Sequence, residues 1–275
     1  MRINTNVMAL NAQNMLSGNQ GAVQKSINKL SSGLRINSAA DDAAGLAISE
    51  KMRSQIRGLN QAESNAQDGI SLIQTAEGAL QQTTDILQRM RELVVKAENT
   101  GVLSEKDQEA ITVEVQALKD EIDRITDSTT FNGKALINGE CKDASKALKF
   151  KIGANTNTGD TLAVTIGSMK SDALQANSLN IKTGAADALK NIDAAIIKVS
   201  EQRSKLGAVQ NRMEYAIESL STTAENLTAA DSRIRDVDMA DEMVSYTKNN
   251  ILQQSAMAML AQANQQPQQI LSLLQ

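Results

Sequence analysis

Apolar residues recur at helical spacing over most of this chain. In the first segment Val23, Ile27, Leu30 and Leu34 alternate steps of four and three, an a/d stripe on one helix face that weakens at Ser31-Ser32-Gly33. From about residue 57 a longer stripe begins: Leu72, Ala76, Ala79, Thr83, Ile86, Met90, Leu93 and Ala97, with Ile70, Ile73, Leu80, Leu87 and Val94 beside it. Two adjacent stripes mean either one helix with two partners or one wide buried face. A helix from 57 to 99 would span about 65 Å, too long for an ordinary small core. Asn99-Thr100-Gly101 supplies a stop, and Ser104 with Asp107 an acidic form of the capping box. The next stripe, Ile111, Val115, Leu118, Ile122 and Ile125, places a helix over 104–128, and the short connection makes the two an antiparallel pair.

After Ile125 the period changes to two. Asn132-Gly133 and Asn138-Gly139 are turn signals, and Leu148, Phe150 and Ile152, then Leu162, Val164 and Ile166, alternate with polar neighbours. They predict a β-hairpin region over 130–167 with GANTNTGDT, residues 153–161, as a loop; no GK[ST] follows, so this is not a phosphate loop. A last heptad pattern over 186–235 runs from Leu189 to Ile234, interrupted by Arg203, Gln210 and Asp231, which either set the register or face solvent. Acid-before-base pairs at i, i+4, such as Glu92 to Lys96 and Asp231 to Arg235, read as helix support on outer faces. If the long helices and the hairpin alternate in direction, both chain ends finish together. The expected fold class is mainly α: long antiparallel helices forming a coiled-coil bundle, with one small β-hairpin region.

Composition sharpens this. Two Phe, two Tyr and no Trp leave a core of Leu, Ile, Val, Ala and Met, a bundle palette. No His and a single cysteine, Cys141, exclude Ser-His-Asp triads, HExxH zinc sites, Cys-His dyads and disulfide frameworks within one chain. We assign no catalytic residue, no cofactor and no metal. Asp41-Asp42 could suggest acid-base work or a cation site, but no third ligand accompanies them. With 28 basic and 32 acidic residues spread along the middle, no basic stripe marks a nucleic-acid partner.

Charge is missing from both ends. Before Lys25 the only charged residue is Arg2, and none follows Lys248. Apolar runs there are too short for membrane insertion, and Asn and Gln interrupt what would be a signal-peptide core, so export must use another route. The last segment carries Ile251, Met257, Leu260, Leu271 and Leu274 with one Pro267, too little apolar surface to fold alone and too much to leave bare. A partner must complete it. Uncharged amides suit a packed assembly interior, where an unpaired Lys or Glu would be costly.

Five stretches carry a family resemblance: MRINTNVMALNAQ at 1–13, LSSGLRINSAADDAAGLAIS at 30–49, NAQDGISLIQTAEGAL at 65–80, LTAADSRIRDVDMADEM at 227–243 and QANQQPQQILSLLQ at 262–275. They resemble bacterial flagellin in its short form, without variable outer domains. The resemblance implies a structural, non-enzymatic subunit that polymerises with itself into the flagellar filament for swimming motility. It implies an inner coiled-coil domain from residues 1–45 and 236–275, in which Val23, Ile27, Leu30, Leu34, Ile251, Met257, Leu260, Leu271 and Leu274 contribute to assembly. Residues 46–235 would form the rod domain, and Asp41, Asp42 and Gly45 would belong to the connector between the two.

Further implied are an extracellular location in the filament and export by the flagellar secretion system without a cleaved signal peptide. The implied partners are a secretion chaperone, the export apparatus, the filament cap and hook-filament junction proteins. LQRMRELVV at 87–95 resembles the motif recognised by the vertebrate Toll-like flagellin receptor, which carries over Arg89 and Leu93, with Glu114 on the neighbouring helix. The rival within the same structural family is a hook-filament junction protein. Cys141 departs from the family's usual lack of cysteine; its setting, Gly139-Glu140-Cys141-Lys142-Asp143, reads as a surface turn.

Overall fold

The computed structural model describes residues 6–99, 101, 103–143, 145–155, 158–175 and 185–273, the side chains of 185 and 267–273 excepted. Five helices and two small antiparallel hairpins follow in the order α1 (Val7–Ser32), α2 (Ala43–Ala97), α3 (Glu105–Ser128), β1 (Thr130–Phe131), β2 (Lys134–Ala135), β3 (Leu148–Lys151), β4 (Thr161–Val164), α4 (Ala185–Arg235) and α5 (Met239–Leu273). The mainly helical class expected from the periodicity is the observed one. The chain divides into two compact units, Met1–Ile56 with Glu225–Gln275, and Arg57–Ala224.

In the second unit both α2 stripes are buried, so they form one wide face. Ile73, Leu80, Leu87, Met90 and Val94 meet Ile111, Val115 and Ile122 of α3 and Ile192, Val199, Leu206 and Met213 of α4 in one core. Polar contacts fix the register of the antiparallel α2 and α4: Arg91 Nε lies 2.8 Å from Asp193 Oδ1 and Arg203 Nη2 lies 3.5 Å from Glu77 Oε1. Further along, a Cβ on Gly69 would meet Met213 Sδ at 3.0 Å and Phe150 Cδ1 at 3.1 Å, so the missing side chain admits both. The Ser104–Asp107 capping box forms as expected, with Ser104 N–H and Oγ both donating to Asp107 Oδ2. These bonds from Ser104 hold the Asp107 carboxyl below its ordinary value.

The hairpin expected from alternation is β3–β4, in register Leu148↔Val164 and Phe150↔Leu162. A second, shorter pair, β1–β2, closes around Asn132-Gly133, both in the left-handed region. Gln202, buried on α4, ties the strand that leaves β4: its Nε2 donates to the Thr165 carbonyl at 3.2 Å and its Oε1 accepts from Gly167 N–H at 3.5 Å.

In the first unit α1 and α5 are antiparallel. Asn6 Nδ2 donates to the Ala263 carbonyl at 2.7 Å at one end, and Lys29 Nζ lies 3.7 Å from Glu242 Oε2 at the other. Asn6 caps α1 through its side chain, which accepts from Ala9 N–H at 3.1 Å, and Asp238 caps α5 by accepting from Ala240 N–H at 2.9 Å.

Candidate functional site

Residues 30–49, expected to be a connector, are tied to the link between α4 and α5. Gly33, at φ +71°, ends α1 in the left-handed conformation, and its N–H donates to the Lys29 carbonyl. The segment that follows runs beside the α4–α5 link: Arg35 N–H donates to the Arg235 carbonyl at 2.7 Å and Val237 N–H to the Gly33 carbonyl at 3.1 Å. Arg35 then closes the C-terminus of α4, with Nη2 donating to the Ile234 carbonyl at 2.6 Å. A cation on the unpaired carbonyls of a helix end is favourable twice over, by hydrogen bond and by dipole.

Each member of the Asp pair has a local task. Asp41 Oδ2 accepts from the Ser38 N–H and hydroxyl, both at 3.0 Å, and these bonds hold its carboxyl below the usual value. Asp42 is the cap of α2, its Oδ1 accepting from Gly45 N–H at 2.9 Å. Gly45 does not make a turn. It sits in the first turn of α2, where a Cβ would overlap the Asp42 carboxylate and lie 2.8 Å from Ile36 Cδ1. The helix therefore starts at Ala43 and not near 57.

Behind the joint, Arg53 Nε donates to Asp231 Oδ2 at 2.9 Å. Burial pushes the Asp231 carboxyl up, but the neighbouring Ser49 hydroxyl, the bond from Arg53 and the charges of Arg53 and Arg235 outweigh it and hold the group low. At 7% exposure Asp231 does not face solvent. Its expected i, i+4 partner Arg235 reaches instead toward Glu50, at 3.9 Å.

Most of the residues expected to serve assembly lie on α1 and α5. The inner seam of the α1–α5 pair combines small, polar and apolar residues: Ala12, Leu16, Asn19, Val23, Ser26 and Leu30 from α1 and Tyr246, Asn249, Gln253, Ala256 and Leu260 from α5, all buried or half-buried. Val23, Leu30, Leu34 and Leu260 are half-buried, whereas Ile27, Ile251 and Met257 are exposed. Other large apolar groups point outward, with Leu10 at 54% and Met15 at 69% exposure. Between the helices runs a groove of about 360 Å³ lined by Met8, Ala12, Met15, Leu252, Ala256 and Met259 among others. The Leu271 side chain and Leu274 lie outside the described residues.

Arg89 and Glu114 are brought together across α2 and α3, Nη2 to Oε1 at 3.0 Å, with Glu92 on the other guanidinium nitrogen at 3.1 Å. These contacts, Glu114 first, push the Arg89 guanidinium further up. Leu93 does not join them at the surface; it is 4% exposed in the core beneath. Cys141 is also buried rather than in a surface turn, its Sγ 3.8 Å from the Ala135 carbonyl, and burial followed by Glu140 pushes its thiol up. Leu136 and Ile137, fully buried just before it, were the signal for a core segment. Among the described residues no group of three potential metal ligands occurs, and no helix is long and apolar enough to cross a membrane.

Known proteins share this arrangement. The bacterial flagellin N-terminal helical region matches residues 3–142 and the bacterial flagellin C-terminal helical region residues 189–274. The chain is 55% identical to a flagellin of Bacillus subtilis (strain 168) and 51% identical to the flagellar filament 33 kDa core protein of Treponema phagedenis, with all of each chain covered in both cases. A solved flagellar hook-associated protein from Vibrio parahaemolyticus shares the fold at a TM-score of 0.59, with 17% identity over 71% of this chain and all of that one. Matched at both ends and more than half identical to whole-length relatives, the chain belongs to the bacterial flagellin family.

Proposed function

We propose that this chain is a structural subunit that polymerises with copies of itself into the bacterial flagellar filament. The observation that carries the reading is the α1–α5 pair: it closes one narrow inner seam and turns Leu10, Met15, Ile251 and Leu252 outward. A two-helix pair with that much bare apolar surface is incomplete by itself. A second copy is the occupant that fits, because the uncovered faces are almost free of charge on both helices and bury without an unpaired ion. Residues 1–45 and 236–275 then form the inner coiled-coil domain and 46–235 the rod.

The same reading supplies the finer partners. The subunit leaves the cell unfolded through the flagellar secretion system without a cleaved signal peptide, escorted by a secretion chaperone, and is added beneath the filament cap above hook-filament junction proteins. Recognition by the Toll-like flagellin receptor would rest on the exposed Arg89 and Glu114 pair, with Leu93 holding the helix face that presents them.

Seeded polymerisation followed by negative-stain electron microscopy tests the assembly. Full-length chain is expected to extend filament seeds, and a chain ending at Lys248 is expected not to. An intact chain that stays monomeric on seeds, or a truncated one that elongates equally, overturns the reading. For the receptor, Arg89→Ala monomers should lose signal in a reporter assay; unchanged signalling removes that partner.

A further inference from the structure

Apart from Met52, half-buried on α2, the described methionines fall into a buried and an exposed group. Met90, Met169 and Met213, in the Arg57–Ala224 unit, are at most 5% exposed, whereas Met8, Met15, Met239, Met243, Met257 and Met259 on α1 and α5 are 47–69% exposed. Met8, Met15 and Met259 line the α1–α5 groove. A thioether is a flexible apolar group that suits an adaptable contact, but its sulfoxide is polar and chiral. The segments holding these six have no cysteine, and Cys141 is buried with its thiol raised, so it is a poor competitor for an oxidant.

We propose that these six methionines are a peroxide modification site on the free chain, and that their oxidation blocks its addition to a second copy. The inference rests on the reading that α1 and α5 pack against other copies. In the step, hydrogen peroxide transfers one oxygen to the methionine sulfur: the O–O bond breaks, an S=O bond forms, sulfur loses two electrons and water leaves. The reverse reaction takes two electrons and two protons from a dithiol-dependent sulfoxide reductase and releases the oxygen as water. Once the outward faces are covered, the same sulfurs lie in a packed interior, so the sensitive state is the monomer before incorporation.

Full-length monomer is treated with hydrogen peroxide, oxidised positions are assigned by peptide mass spectrometry, and elongation on untreated seeds is followed by light scattering. The six terminal sulfurs should oxidise before Met90, Met169 and Met213, and elongation should slow at least about tenfold, because each new sulfoxide must be buried among apolar groups. Sulfoxide reductases of both epimer specificities with dithiothreitol should restore it. A variant with all six replaced by leucine should show no further loss of elongation on peroxide treatment, whatever its untreated rate; if that variant fails to assemble, reductase rescue of the wild-type chain carries the test. Oxidised chain that elongates at the untreated rate, or a loss that reductase does not reverse, overturns the inference. Untreated wild-type chain that never elongates overturns the polymer reading itself, and this inference with it.

Discussion

Replacing Gly45 with alanine tests how the connector is built. The added Cβ overlaps the Asp42 carboxylate and lies 2.8 Å from Ile36 Cδ1, a side chain only 3% exposed. The carboxylate must move, and with it goes the 2.9 Å cap bond from Gly45 N–H. Loss of a cap costs about 1 kcal/mol. Pressing a methyl against buried Ile36 adds about 1–3 kcal/mol, as overpacking does. Alanine returns about 1 kcal/mol of helix propensity. The net is a destabilisation of about 1–3 kcal/mol by these terms together. Gly78, inside the same helix, has nothing within 4 Å of a Cβ, so there alanine should stabilise by up to about 1 kcal/mol. Urea titrations by far-UV circular dichroism, with amide exchange of the first turns of α2, read both. A Gly45→Ala chain as stable as the wild type would refute the reasoning, most directly if its α2 amides kept their protection.

Asp231, with its pKa lowered, contributes stability that is complete above the ordinary value of 3.8 and is lost as pH falls through the folded value. Asp231→Asn should therefore melt below the wild type near neutral pH, and the gap should close in melts taken below about pH 4. Leu80→Ala removes a fully buried side chain from the core of the Arg57–Ala224 unit and should cost about 2–5 kcal/mol in urea unfolding. Ser104→Ala breaks the α3 capping box and should cost about 0.5–2 kcal/mol, seen first as faster amide exchange in the first turn of α3.

Periodicity was readable wherever one helix face meets one core, as in the double stripe of α2, whose members lie in a single buried face. It failed where the chain uses polar chemistry to start or join helices. Asp41-Asp42 followed by Ala-Ala-Gly looks like loop composition, yet Asp42 is the cap of a helix whose first turn accepts Gly45 only because no Cβ is there. The reach of Arg35 to the end of α4 and of Arg53 to Asp231 joins residues far apart in sequence, which no local spacing encodes. Local charge pairing also chose another step than expected: Glu92 meets Arg89 and Arg124 meets Glu121, both at i, i+3. In the terminal helices the heptad was legible but its direction was not. Val23 and Leu30 lie at the inner seam while Ile27 turns out, because a two-helix pair covers only one face of α1 and leaves the rest of the stripe bare.

The central claim is that the outward apolar faces of α1 and α5 become interior when copies assemble. Leu10→Lys and Ile251→Lys test it, since both side chains are more than half exposed in the single chain. The account predicts monomers with wild-type melting curves whose elongation on seeds falls by more than about a hundredfold, because an unpaired ammonium cannot be buried cheaply. Elongation of either variant at the wild-type rate would contradict it.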